Sequence, residues 1–243
     1  IDTGYHGIHE IYNGYGINLK NSFNKSHKKI NWSSNQNFSL GKFTAENDQD
    51  NLSTHTRTSF GGNLRNEYTI WNSNTKGLYI DESYKFIPNI LKNELKIVSD
   101  LNLAINNYSN FGSQNLIIFS IGPALTIGNY RKNFFDYTSL GTFLEITNKS
   151  GSSPFKFDNI NDNLKLNLNL NQQIIKSLSL GVSTYLNIDK DSDKFNKFIN
   201  TKYSLNWNRR AYNFQFYFEQ DTKNAGLNFT IFGLPFKGLG KQF

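Results

Sequence analysis

Leu164, Leu166, Leu168 and Leu170 alternate with Lys165, Asn167 and Asn169. A period of two places every second side chain on the same side of an extended strand, so this stretch has one apolar and one polar face. The pattern recurs along the chain. Leu95, Ile97, Leu101, Leu103 and Ile105 alternate with Lys96, Asp100, Asn102 and Asn106, and Leu178, Leu180, Val182, Leu186 and Ile188 alternate with Ser177, Ser179, Ser183 and Asn187. Tyr203, Leu205 and Trp207 follow, then Tyr212, Phe214, Phe216 and Phe218, and finally Leu227, Phe229 and Ile231. Helical spacing does not extend over any useful length. Turn-forming clusters separate the alternating runs, among them 106–112, 148–154, Asp189 to Lys194, Asn208-Arg209-Arg210 and Asp221 to Asn224. These limits predict strands of roughly ten residues, where a globular strand is typically ~5–6 and a membrane-spanning one ~9–11.

The first half alternates less cleanly. Gly14 to Phe23, Ile30 to Phe43, Thr54 to Trp71 and Leu78 to Phe86 are expected strands, with a bulge or bend at Gly61-Gly62. Ala45 to Asn51 reads as an acidic polar loop. Leu116 to Ile127 is apolar on both faces and carries Gly122-Pro123, which predicts a kink or a sheet edge because Pro cannot donate to a ladder. About twelve antiparallel strands in a single domain, 1–243, is the expected architecture.

Composition narrows the choice. The 243 residues include no Cys, which excludes a disulfide scaffold, a thiolate metal site and a Cys nucleophile. A chain that starts at Ile1 and holds no Met is expected to be a mature or excised piece of a longer one. No run of ~18 apolar residues is present to make a transmembrane helix. Aromatic residues at 15% argue against disorder. Roughly one residue in seven is Asn, a weak helix former and a good turn residue. The net charge of +7 is spread along the chain without a recognition-helix pattern, so no nucleic-acid partner is expected.

Long strands with polar faces of Asn, Ser, Gln and Lys suit an aqueous lumen. Aromatic residues that cluster near strand ends, at Tyr130, Phe134, Phe135, Tyr137, Tyr203, Trp207, Tyr212 and Tyr217, suit interfacial girdles. Every backbone donor must be paired inside a bilayer, so a sheet there has to close. The expected fold is therefore an all-β, antiparallel up-and-down transmembrane barrel, or the C-terminal part of a larger one. A soluble β-sheet protein with its apolar face turned inward alternates in the same way. Near the C-terminus, Asn224 to Ile231 fits the polar-x-Gly-x-x-aromatic-x-hydrophobic pattern of a closing strand read by barrel-assembly machinery. Gly226 there would allow close backbone approach, while Phe229 and Ile231 would face lipid.

The run Trp207-Asn208-Arg209-Arg210-Ala211-Tyr212-Asn213-Phe214, with Tyr217 to Asp221, Gly226 to Phe229 and Phe232 to Phe236, resembles the closing strands of cyanobacterial relatives of the lipopolysaccharide-assembly protein LptD. The resemblance implies a barrel in a Gram-negative-type cell outer membrane. Such a barrel takes lipopolysaccharide or a similar glycolipid from a periplasmic lipid-transport bridge, with a plug lipoprotein as a possible further partner, and releases it into the outer leaflet through a lateral seam. The same barrel pattern also fits a small outer-membrane diffusion porin.

No cofactor, metal site or catalytic residue is expected. His6 and His9 lie in Gly4-Tyr5-His6-Gly7-Ile8-His9-Glu10, whose letters differ from the helical His-Glu-x-x-His zinc motif, and no G-x-S-x-G is present. His55 reads as a strand residue facing the lumen or the interface. The best functional candidates are Lys165, Lys176, Lys202, Arg209 and Arg210, which lie on polar faces or at strand ends. Cations there would hold the phosphate or carboxylate of an anionic headgroup, Arg bidentately. The competing reading is that they are solvated charges.

Overall fold

The computed structural model describes residues 11–47, 49, 51–73, 93–128, 132–155, 158, 162–209 and 211–231. Eleven strands run in chain order: β1 (Ile11–His27), β2 (Ile30–Glu46), β3 (Leu52–Ser73), β4 (Asn93–Tyr108), β5 (Gly112–Ile127) and β6 (Thr138–Gly151), then β7 (Leu164–Ile175), β8 (Leu178–Asn187), β9 (Phe198–Asn208), β10 (Tyr212–Glu219) and β11 (Asn224–Ile231). They form one up-and-down sheet in the order β1 to β11 without crossovers. Each paired register is antiparallel, from Ile17 opposite Leu40 to Phe214 opposite Phe229. The twelfth expected strand, Leu78 to Phe86, and the His6/His9 motif lie outside the described residues.

Two expectations need correction. β5 runs on through Gly122-Pro123 and has β4 and β6 on either side, so Pro123 does not mark a sheet edge. A single missing donor removes one ladder bond, which the flanking strands tolerate. The first six strands are also much longer than ten residues, reaching 22 in β3, which continues through Gly61-Gly62.

The described chain packs as two compact units. Unit 1 comprises Ile1–Glu67, Val98–Ile121 and Glu145–Leu164; unit 2 comprises Tyr68–Ile97, Gly122–Leu144 and Lys165–Phe243. Both units show the same inversion of the usual rule. In unit 1, Ile17, Leu19, Phe60, Leu103 and Ile105 are exposed, while Asn106, Gln114, Thr147 and Ser59 are buried. In unit 2, Leu205, Trp207, Phe214, Phe216 and Phe218 are exposed, while Gln173, Ser179, Asn187 and Asn206 are buried. Among the described residues only Ala45, Val98, Tyr108, Phe155 and Ile199 form a buried apolar set. Folded monomers in water rarely leave contiguous apolar faces of this extent uncovered.

Candidate functional site

The polar face of unit 2 is built from three neighbouring transverse rows. The first carries Asn169, Ser183, Lys202 and Glu219 on β7 to β10. The second carries Asn171, Gly181, Ser204, Tyr217 and Gly226, and the third Gln173, Ser179, Asn206, Gln215 and Asn228. Antiparallel pairing makes these rows inevitable once polar residues hold one phase of each strand.

Amides bond across the rows and between them. Asn228 Nδ2 donates to Gln215 Oε1 at 3.1 Å, Gln215 Nε2 to Asn206 Oδ1 at 2.7 Å, and Asn206 Nδ2 to Ser204 Oγ at 3.2 Å. Ser183 Oγ donates to Asn169 Oδ1 at 2.7 Å, and Asn169 Nδ2 to Asn167 Oδ1 at 2.7 Å. The middle row is low because two of its five residues are glycine. A β-carbon at 181 would collide with Ser204 Oγ, and one at 226 would collide with the Tyr217 ring. Over this low row lies a hollow of about 370 Å³, lined by Asn169, Asn171, Ser183, Lys202, Ser204, Asn206 and Gln215 among others. Asn171 Oδ1 has no hydrogen-bond partner.

One end of the third row is locked. Gln173 is fully buried, and its Oε1 accepts from the backbone N–H groups of Asp136 at 2.8 Å and Tyr137 at 3.2 Å. Its Nε2 donates to the carbonyls of Lys132 at 3.1 Å and Lys176 at 2.8 Å. One carboxamide thus joins the β5–β6 connection to the β7–β8 turn with its donors and acceptors fully used. Burial raises the pKa of the neighbouring Tyr137 phenol, against the opposite pull of a hydrogen bond with Ser139.

Of the five expected headgroup cations, the four among the described residues do not converge. Lys165 and Lys202 lie on the polar face, Lys165 with its ammonium 5.3 Å from the Tyr185 ring centre. Lys202 pairs with Glu219 at 3.1 Å and sits 4.1 Å from the centre of the Tyr217 ring. Lys176 occupies the exposed β7–β8 turn, and Arg209 follows β9 with its guanidinium 5.6 Å from the Trp207 ring centre. Arg210 lies outside the described residues. Tyr217, expected in an aromatic girdle, faces the polar side because it stands in the opposite phase to Phe216 and Phe218. Phe229 and Ile231 lie on the exposed apolar face, and Gly226 makes room for the Tyr217 ring rather than for a neighbouring backbone.

Unit 1 covers its polar side differently. Arg57 Nη2 and Asp158 Oδ1 pair at 2.8 Å, Tyr108 OH donates to Asp158 Oδ2 at 2.8 Å, and Gln114 Nε2 donates to the Asp158 carbonyl at 3.2 Å. Phe155 is fully buried with edge-on contacts to Phe43, His55 and Tyr108. His55 Nδ1 lies 2.7 Å from the Ser109 carbonyl. Neither Gln173 nor this cluster was singled out from the sequence. Apart from Lys176, which is close to Gln173 in the chain, their hydrogen-bond partners are distant in sequence, as Tyr137 is from Gln173 and Asp158 from Arg57, and no local pattern reports such contacts.

Fold and site together define an all-β, up-and-down antiparallel sheet protein with an exposed apolar face and a hydrogen-bonded polar one. Residues 3–234 match the family described as "Protein of unknown function (DUF3769)", and the chain belongs to that family. No curated protein and no solved structure matches it.

Proposed function

We propose that this chain is an outer-membrane β-barrel, or the C-terminal part of one, that passes a lipopolysaccharide-type glycolipid to the outer leaflet without chemistry of its own. The observation that carries the membrane part is the inverted sheet: Leu205, Trp207, Phe216 and Leu227 are exposed while Ser179, Asn206 and Gln173 are covered. Lipid is the solvent that suits such an apolar face, and a closed sheet is the form in which strands meet it. Support for the glycolipid comes from the likeness of residues 207–236 to the closing strands of cyanobacterial LptD relatives.

The sugar headgroup would travel along the polar face while the acyl chains leave sideways through a lateral seam. A periplasmic lipid-transport bridge would supply the glycolipid, and the barrel-assembly machinery would read β11. Fractionation and heat-modifiability of the natural full-length protein test the membrane part. Recovery with the outer membrane and faster migration before boiling are expected; a chain soluble without detergent and lacking a heat shift would refute it. Depletion tests the cargo: loss of surface glycolipid supports the conduit, whereas unchanged glycolipid with reduced solute uptake would make the chain a porin.

A further inference from the structure

We infer that the hollow over Gly181 is a saccharide subsite selective for uncharged, hydroxyl-rich sugar units rather than for phosphate. The inference rests on the reading that this polar face carries a glycolipid headgroup, and it specifies which part of that headgroup the face holds. Beside Leu170, Val182 and Lys202, the lining is mostly amide and hydroxyl: Asn169, Asn171, Ser183, Ser204, Asn206 and Gln215. An amide offers two donors and two acceptor lone pairs, and the cross-strand bonds use only part of that capacity.

Charge points the same way. Among the described residues Lys202 is the single ionisable side chain lining the hollow, and Glu219 on the next strand pairs with it at 3.1 Å. A phosphate entering here would have to displace that carboxylate or accept its repulsion. A neutral sugar ring faces neither cost, and its hydroxyls match amides that both donate and accept. The volume, about 370 Å³, falls within the ~300–1,000 Å³ range of small-ligand sites.

The test is calorimetric titration of the natural full-length protein in detergent with maltohexaose and, separately, with inorganic phosphate, after the heat shift on a gel has shown the folded barrel. Saturable binding of maltohexaose and none of phosphate is expected. The double variant Asn206→Ala/Gln215→Ala is expected to weaken maltohexaose by about tenfold or more through the lost hydrogen bonds. Ser183→Phe, which fills the hollow but keeps the 206–215 bond, should do the same. Lys223→Ala, in the β10–β11 turn, should leave binding within about twofold. Saturable phosphate binding, or no maltohexaose binding by a heat-modifiable chain, would overturn the inference while leaving the barrel intact. A chain without the heat shift that still binds maltohexaose through Asn206 and Gln215 would keep the subsite and remove the membrane reading.

Discussion

In unit 1 the covered face is held by Arg57, Asp158, Tyr108 and the ring of Phe155; in unit 2 it is held by Asn169, Asn206, Gln215 and Gln173. The first set is closed on itself. Both carboxylate oxygens of Asp158 are bonded and Phe155 has no exposed surface, although Arg57 Nε has no partner. In the second set Asn169, Asn206 and Gln215 form a track, each bonding a neighbour and keeping hydrogen-bonding capacity in reserve over a hollow, while Gln173 locks its end with no capacity left. The strands differ as well, with 14 to 22 residues in β1 to β6 and 8 to 12 in β7 to β11. The comparison separates two uses of a polar sheet face. Ionic and aromatic contacts fasten a connecting segment, whereas a repeated amide surface stays able to exchange partners.

The largest effect is expected at the ionic cluster. Asp158→Ala leaves Arg57 largely buried without its carboxylate, which should cost roughly 3–5 kcal/mol and lower the temperature at which the heat-modifiable form disappears. Gln173→Leu comes next. It strands four backbone groups in the β5–β6 and β7–β8 connections, so roughly 2–4 kcal/mol is expected, with faster proteolysis within 132–137. An equal loss from Asn206→Ala would break the comparison, because the track residue should cost only about 1 kcal/mol. Smallest is Lys202→Gln. Both side chains of its pair with Glu219 are more than a third exposed, so a stability change below about 1 kcal/mol is expected, read from the same melting profile.

β7 to β11 were legible in the sequence because long runs of their side chains keep phase, although the pairing shifts register between Gln173 and Ile175 and between Ser183 and Tyr185. Even Tyr217 could be placed by phase, since it stands between Phe216 and Phe218; grouping aromatics by nearness to strand ends put it on the wrong face. β3 was legible as well, since Thr54 to Trp71 reads as one strand containing Gly61-Gly62 and the structure extends it to Leu52–Ser73. In the middle of β5 a kink or a sheet edge is expected because Pro123 is judged locally, whereas β4 and β6 flank the strand on both sides. The polar face of the site was visible as Lys165, Asn167, Asn169 and their counterparts. Its hollow was not, because that depends on the register that sets Gly181 beside Ser204 and Tyr217 beside Gly226. Lys and Arg suggested a headgroup site by charge alone. Glu219 as the partner of Lys202 emerges only after pairing, whereas the Trp207 ring beside Arg209 is two residues away in the chain.

The central claim is that the exposed apolar face meets lipid, and the absence of native Cys makes it directly measurable. Single Cys variants at Leu205 and Asn206, adjacent residues on opposite faces of β9, would be labelled with an environment-sensitive fluorophore. They would then be reconstituted in bilayers containing brominated lipid. The label at 205 is expected to emit in the blue and be quenched by the lipid, while that at 206 emits as in water and responds to an aqueous quencher. Lipid quenching at 206, or equal aqueous quenching at both positions, would contradict the account.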